Sequence, residues 1–89
     1  MTVTTKILDE KGFTIQNKAA ENDDTNEFHF EFPCLPRHGD LVKIDDGDAR
    51  GEYVVVYPII YEIVDNKSCP IMILKWQTLP KGVGGIIDN

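Results

Sequence analysis

A chain of 89 residues bounds one small domain, because a globule of this size hides only about 60–65% of the surface its unfolded chain would expose. Apolar residues make up 42% of it, too many for a disordered segment. The net charge of −6 is concentrated: nine acids and two bases (Arg37, Lys43) lie between Glu21 and Asp48, a field that repels phosphate backbones and acidic lipids.

The first six residues, Met1-Thr2-Val3-Thr4-Thr5-Lys6, lack the apolar stretch of a secretory signal. The longest apolar run, residues 53–61, is interrupted by Pro58 and is far short of the roughly 20 residues that span a bilayer. The expected location is cytoplasmic, with no membrane partner. Cys34 and Cys69 are too few for a disulfide framework in a domain of this size, and both are read as reduced, semi-buried side chains.

In chain order, Ile7-Leu8 and Phe13-Thr14-Ile15 flank Asp9-Glu10-Lys11-Gly12 and predict a hairpin closed by Gly12. Residues 16–26, rich in Asn and Asp, predict a mobile loop. Residues 27–32 are the clearest strand: Phe28, Phe30 and Phe32 alternate with His29 and Glu31, a period of two with one apolar face. Pro33 and Pro36 end it, since neither can donate to a ladder. Arg37-His38-Gly39-Asp40 is a turn, residues 41–44 the next strand, and residues 45–51 a polar loop with two glycines.

Residues 52–64 are β-branched and aromatic on both faces, with Pro58 predicting a bulge or bend that splits the run in two. Asp65-Asn66-Lys67-Ser68 turns the chain, and residues 71–76 return as the last strand. Residues 1–79 form the single β domain, and residues 80–89, with Gly82, Gly84 and Gly85, a flexible C-terminal tail.

Five to six short strands, tight turns and no helical period predict an all-β fold, either a small SH3-like barrel or a rolled antiparallel sheet. The stretch Pro36-Arg37-His38-Gly39-Asp40-Leu41-Val42-Lys43-Ile44, then Tyr53-Val54-Val55 and Ile71-Met72-Ile73-Leu74, resembles small SH3-like barrel proteins of unassigned function, of the phage or mobile-element type. In these a Pro-then-Gly-Asp turn launches a short strand. Gly39 to Ile44, with Gly51, is also similar to the KOW motif of ribosomal and transcription-factor barrels. The resemblance covers residues 36–77. KOW domains carry basic residues in the following loop, where this chain has Asp45, Asp46 and Asp48, so nucleic acid is not the expected partner.

No residue pattern encodes a reaction. Ser68 is the only serine and lacks a nucleophile-elbow context. His29, Cys34, His38 and Cys69 include both side chains that zinc favours, but structural zinc sites bring two close pairs and Cys69 has no near partner. Asp45-Asp46-Gly47-Asp48 lacks EF-hand spacing, its twelfth position being Val56 rather than Glu. Lys81-Gly82-Val83-Gly84-Gly85 matches neither the P-loop nor the dinucleotide fingerprint. The expectation is a protein that is not an enzyme, with no cofactor, metal or small-molecule substrate.

What remains is a non-catalytic protein–protein interaction or assembly module, whose partner is another protein or a second copy of the chain. Tyr53, Tyr57, Tyr61 and Trp76 are the side chains most able to anchor that partner, aromatics being equally suited to a small core. Two alternatives are a nucleic-acid-associated KOW/SH3-like module and an acidic decoy whose residues 21–48 occupy the groove of a nucleic-acid-binding protein.

Overall fold

The computed structural model describes residues 1–18, 26–45 and 47–77. The chain is all-β: six strands form one sheet curled into a half-barrel, as in a small SH3-like barrel. No helix occurs among the described residues. The strands are β1 (Thr2–Leu8), β2 (Phe28–Glu31), β3 (Leu41–Ile44), β4 (Gly51–Val55), β5 (Ile60–Val64) and β6 (Lys67–Trp76). Their order across the sheet is β2-β1-β6-β4-β3, with β5 pairing β6 beyond the end of β4.

Alternation decides which side of each strand is dry, because successive side chains point to opposite faces. On β1 the core face holds Val3, Thr5 and Ile7, all buried, with Phe28 and Phe30 facing it from β2. Met72 and Leu74 supply β6 and Tyr53 and Val55 supply β4; burying each of these large side chains contributes roughly 1.5–3 kcal/mol. Thr5, the one buried polar residue among those described, donates its hydroxyl to the carbonyl of Val3 at 3.3 Å. Tyr53 stands edge-on to Trp76, ring centroids 5.9 Å apart, and its hydroxyl donates to the Ala49 carbonyl at 2.7 Å.

Several expectations change in detail. The sheet is not purely antiparallel, because β1 runs parallel to β6 with Thr4 opposite Ile71 and Leu8 opposite Lys75. The expected hairpin over residues 7–15 forms as a short one: the Leu8–Thr14 bridge is flanked by backbone hydrogen bonds from Asp9 N–H to the Phe13 carbonyl and from Ile15 N–H to the Ile7 carbonyl, and the Asp9 carboxylate steadies its loop by accepting the N–H of Lys11 and of Phe13. The first strand instead begins at Thr2, and the last begins at Lys67 rather than Ile71. Cys34 is exposed rather than semi-buried, Cys69 is half-buried, and both thiols are free. The expected loop over residues 16–26 lies outside the described residues for 19–25, and so does the expected tail of residues 80–89.

The Gly-Asp turn forms. The Asp40 carboxylate accepts the N–H of Arg37 at 2.8 Å, Gly39 takes φ +92°, and the Gly39 N–H reaches the Val55 carbonyl at 2.7 Å. That contact pins the start of β3 to the end of β4.

Candidate functional site

Pro58 splits residues 52–64 as its missing N–H demands. Up to Val56, whose N–H donates to the Ile73 carbonyl, the chain follows the edge of β6 opposite β1. Pairing resumes with Ile60 opposite Ile71, so Tyr57, Pro58 and Ile59 stand against Met72 alone. Past this bulge β5 and the first half of β6 continue as a two-stranded arm.

The arm closes through Asp65 (φ 51°) and Asn66 (φ 64°), the two left-handed residues of a type I′ turn, whose twist matches a hairpin. Such a turn makes Val64 and Lys67 the closing hydrogen-bonded pair. Ile60, Glu62 and Val64 therefore spend their backbone groups on β6, while Tyr61 and Ile63 aim theirs at the outer edge.

On the arm's inner face Tyr61 and Ile63 sit beside Pro70 and Ser68, continuing the face of Met72 and Leu74. Its outer face carries Ile60, Glu62 and Val64. Every residue of β5 is exposed: Ile63 at 66%, Tyr61 at 54%, Ile60 at 47% and Val64 at 45%. Tyr57, in the bulge at the arm's root, is 54% exposed. A cluster of large apolar side chains in water on both faces of one hairpin is unusual for a monomeric protein, where apolar exposure is normally scattered.

A shallow trough leads to the arm along the open side of the half-barrel. At the arm's root it is a groove of about 490 Å³ between Leu35, Pro36, Arg37 and His38 on one side and Pro58, Ile59 and Tyr61 on the other. Sharing Leu35 and Pro36, it runs into a groove of about 330 Å³ beside Phe32 and Val42. Beyond, a groove of about 260 Å³ separates Phe30 and Phe32 from Val42 and Ile44, between β2 and β3, the two ends of the strand order.

The four aromatics singled out from the sequence separate. Tyr53 is 1% exposed and belongs to the core, so it cannot be an anchor without unfolding; its β4 position lies between β3 and β6 and faces the inside of the curl. Tyr57 and Tyr61 flank the root of the arm, and Trp76, 38% exposed, lies at the far end of β6 from them. Ile60, Ile63 and Val64, not singled out from the sequence, complete the exposed cluster; the signal for them was a two-residue Asp-Asn turn just beyond the proline break.

The residues considered for catalysis and metal binding are not gathered. His29 lies on the outer face of β2 with Nδ1 3.5 Å from the Thr4 hydroxyl, His38 is in the turn before β3, and Cys69 is on the arm. Ser68 faces Ile63 across the arm. The Asp48 carboxylate accepts the backbone N–H of Lys18 at 2.7 Å. Among the described residues no three His, Cys, Asp or Glu side chains converge as a metal site. Nor is any helix among the described residues long and apolar enough to cross a membrane.

Burial pushes the Tyr53 hydroxyl above its usual pKa of 10.0. The Glu31 carboxyl is held below its usual 4.5, first by the Thr2 hydroxyl and then by the terminal amino group of Met1 at 3.0 Å. Both effects belong to the folded frame, and neither group borders the arm. Comparison with protein families, with curated proteins and with solved structures finds no match.

Proposed function

We propose that this protein is a non-catalytic assembly module that works by protein–protein contact, with the β5–β6 arm as its contact element. The observation that supports this reading is the arm itself: Ile60, Tyr61, Ile63 and Val64 are all at least 45% exposed on a hairpin whose outer edge pairs with no strand among the described residues. A two-stranded hairpin with both faces wet is marginal alone and gains stability from a third strand or a covering layer. An unpaired strand edge offers main-chain groups to a partner, and the flanking Tyr57 and Tyr61 are of the residue type that dominates binding energy. The SH3-like resemblance over residues 36–77 agrees with a scaffold of this kind.

A photoreactive residue placed at position 63 in the producing cells tests the reading, with position 11, an exposed turn residue, as control. Protein adducts are expected from position 63 and not from position 11, and Tyr61→Asp should abolish them. An adduct pattern identical at the two positions, or none at either, would remove the arm as a contact element.

A further inference from the structure

We propose that the outer face of the sheet, over the parallel β1–β6 pair, docks an amphipathic helix of another protein whose apolar stripe is flanked by two carboxylates one turn apart. This surface is separate from the arm and does not depend on the assembly reading above.

The alternation that buries Val3, Thr5 and Ile7 turns Lys6 and Leu8 outward, and burial of Met72 and Leu74 turns Ile71, Ile73 and Lys75 outward. Lys6 lies opposite Ile73 and Leu8 opposite Lys75, with Val54 of β4 on the other side of Lys75. Leu8, Val54, Ile71 and Ile73 are half-buried, at positions where a face left to water carries polar side chains. The charges on this pair of strands are all of one sign. In a chain with fifteen acids and nine bases, neither β1 nor β6 holds an acid. Lys6 and Lys75 are exposed, and neither has an ion pair or side-chain hydrogen bond among the described residues. Their Cα atoms, one strand apart and offset by two residues, lie roughly 8 Å from each other.

A ligand suited to this face brings apolar surface for the isoleucines and carboxylates for the two lysines. It cannot join as a further strand, because β1 lies between β2 and β6, and β6 lies here between β1 and β4. Contact must come from side chains alone, and a helix laid on a sheet face is the layer arrangement that achieves this. A helix about 10 Å across spans two strands, and its positions i and i+4 are about 6 Å apart along the axis, within reach of both flexible lysines.

Acids at the rim disfavour a broader anion. Glu52 points outward on β4 beyond Val54, Glu62 points outward on the arm, and Asp9 follows Leu8. A lipid surface or a nucleic-acid backbone carries negative charge across its whole footprint and would set it against these groups. Nor does any aromatic side chain point outward on β1, β4 or β6 to stack on a base.

Amide chemical-shift titration of the full chain with a helical peptide tests this, the peptide bearing a leucine stripe flanked by glutamates at i and i+4. Saturable shifts are expected at Lys6, Ile73 and Lys75, weakening with added salt as exposed ion pairs do. A twin peptide with lysines in place of the glutamates should bind about tenfold more weakly, the worth of two exposed pairs. That order should hold although the net charge of −6 attracts the cationic twin at long range. Lys6→Glu combined with Lys75→Glu should reverse the preference, a result that a folding defect would not produce. Tyr61→Asp should leave both affinities unaltered. Absence of saturable shifts at the three amides, equal binding of the two peptides, or comparable shifts with an oligothymidine or with phosphatidylserine vesicles overturns the inference. Shifts confined to residues 60–64 also overturn it, and leave the arm as the contact element.

Discussion

The two halves of β6 meet opposite fates. From Met72 to Leu74 the strand lies between β1 and the end of β4 with the bulge that follows it, and its inward side chains are fully buried. From Lys67 to Pro70 it has β5 on one edge and no named strand on the other, and nothing there is buried. Ile63 and Leu74 lie on one continuous face of the sheet, yet one is 66% exposed and the other 0%. Residue type does not separate them. What does is whether the curl of the sheet brings another strand across: β2 and its phenylalanines fold over the body, and no described strand folds over the arm. Hydrophobic surface becomes a core only where topology supplies the opposite wall.

Truncation is the strongest test of that contrast. Leu74→Ala should cost about 2–5 kcal/mol, the lost transfer of the side chain plus the cavity it leaves. Ile63→Ala, measured in dilute solution where the arm is unpaired, should stay within about 0.5 kcal/mol, as surface substitutions do. Urea unfolding of both variants gives the comparison directly. Equal losses would mean that the arm folds as part of the core and the distinction is false.

A smaller effect is expected where the body is tightest. Gly51 has φ +154°, a region other residues seldom enter, and a Cβ there would lie 2.5 Å from Cζ3 of Trp76 and 3.1 Å from the Tyr53 hydroxyl. Gly51→Ala should therefore cost roughly 1–3 kcal/mol through backbone strain and displacement of the indole. Trp76 reports on itself, since its fluorescence should shift in the folded variant. A neutral substitution with unchanged emission would show that the ring moves aside freely and that this end of β6 is as loosely held as the arm.

How far the sequence foretold this contrast differs by element. The Phe28–Phe30–Phe32 alternation, the strand at 41–44, the break at Pro58 and the turn at Asp65-Asn66 are all local patterns, and each appears where expected. The first strand was harder to see. Val3, Thr5 and Ile7 do alternate, but a buried threonine reads as polar, and only the fold shows its hydroxyl satisfied by the Val3 carbonyl. The start of β6 reads as a turn in the sequence because Lys67, Ser68 and Cys69 are not an apolar run. A hairpin edge held by its type I′ turn does not need one. The parallel pairing of β1 with β6 joins residues nearly seventy positions apart, and no local pattern encodes such a contact. The same non-local choice sorts the tyrosines. Nothing near Tyr53 in sequence says that β3 and β6 will flank it, or that Tyr57 and Tyr61, a few residues on, will lie past the bulge in solvent.

Those tyrosines also provide the finest test of the difference between body and arm. Tyr53→Phe removes the hydroxyl that donates to the Ala49 carbonyl at 2.7 Å, leaving a nearly buried acceptor unpaired, so about 1–2 kcal/mol should be lost at pH 7. Tyr57→Phe, whose hydroxyl side chain faces solvent, should stay within about 0.5 kcal/mol at the same pH. The Tyr53 loss should then depend on pH. Burial raises the folded-state pKa above 10.0, so the fold binds the phenolic proton more tightly than the unfolded chain does. The stability this contributes is fully present below pH 10 and drains away as pH rises through the folded value, because the unfolded chain gains the charged form first. The phenylalanine variant has no such proton to lose. Its deficit against the parent chain should accordingly narrow above pH 10, where urea midpoints of the two proteins converge. A deficit that stays constant into that range would mean that Tyr53 ionises as easily folded as unfolded, and that the interior of the body is wetter than its burial implies.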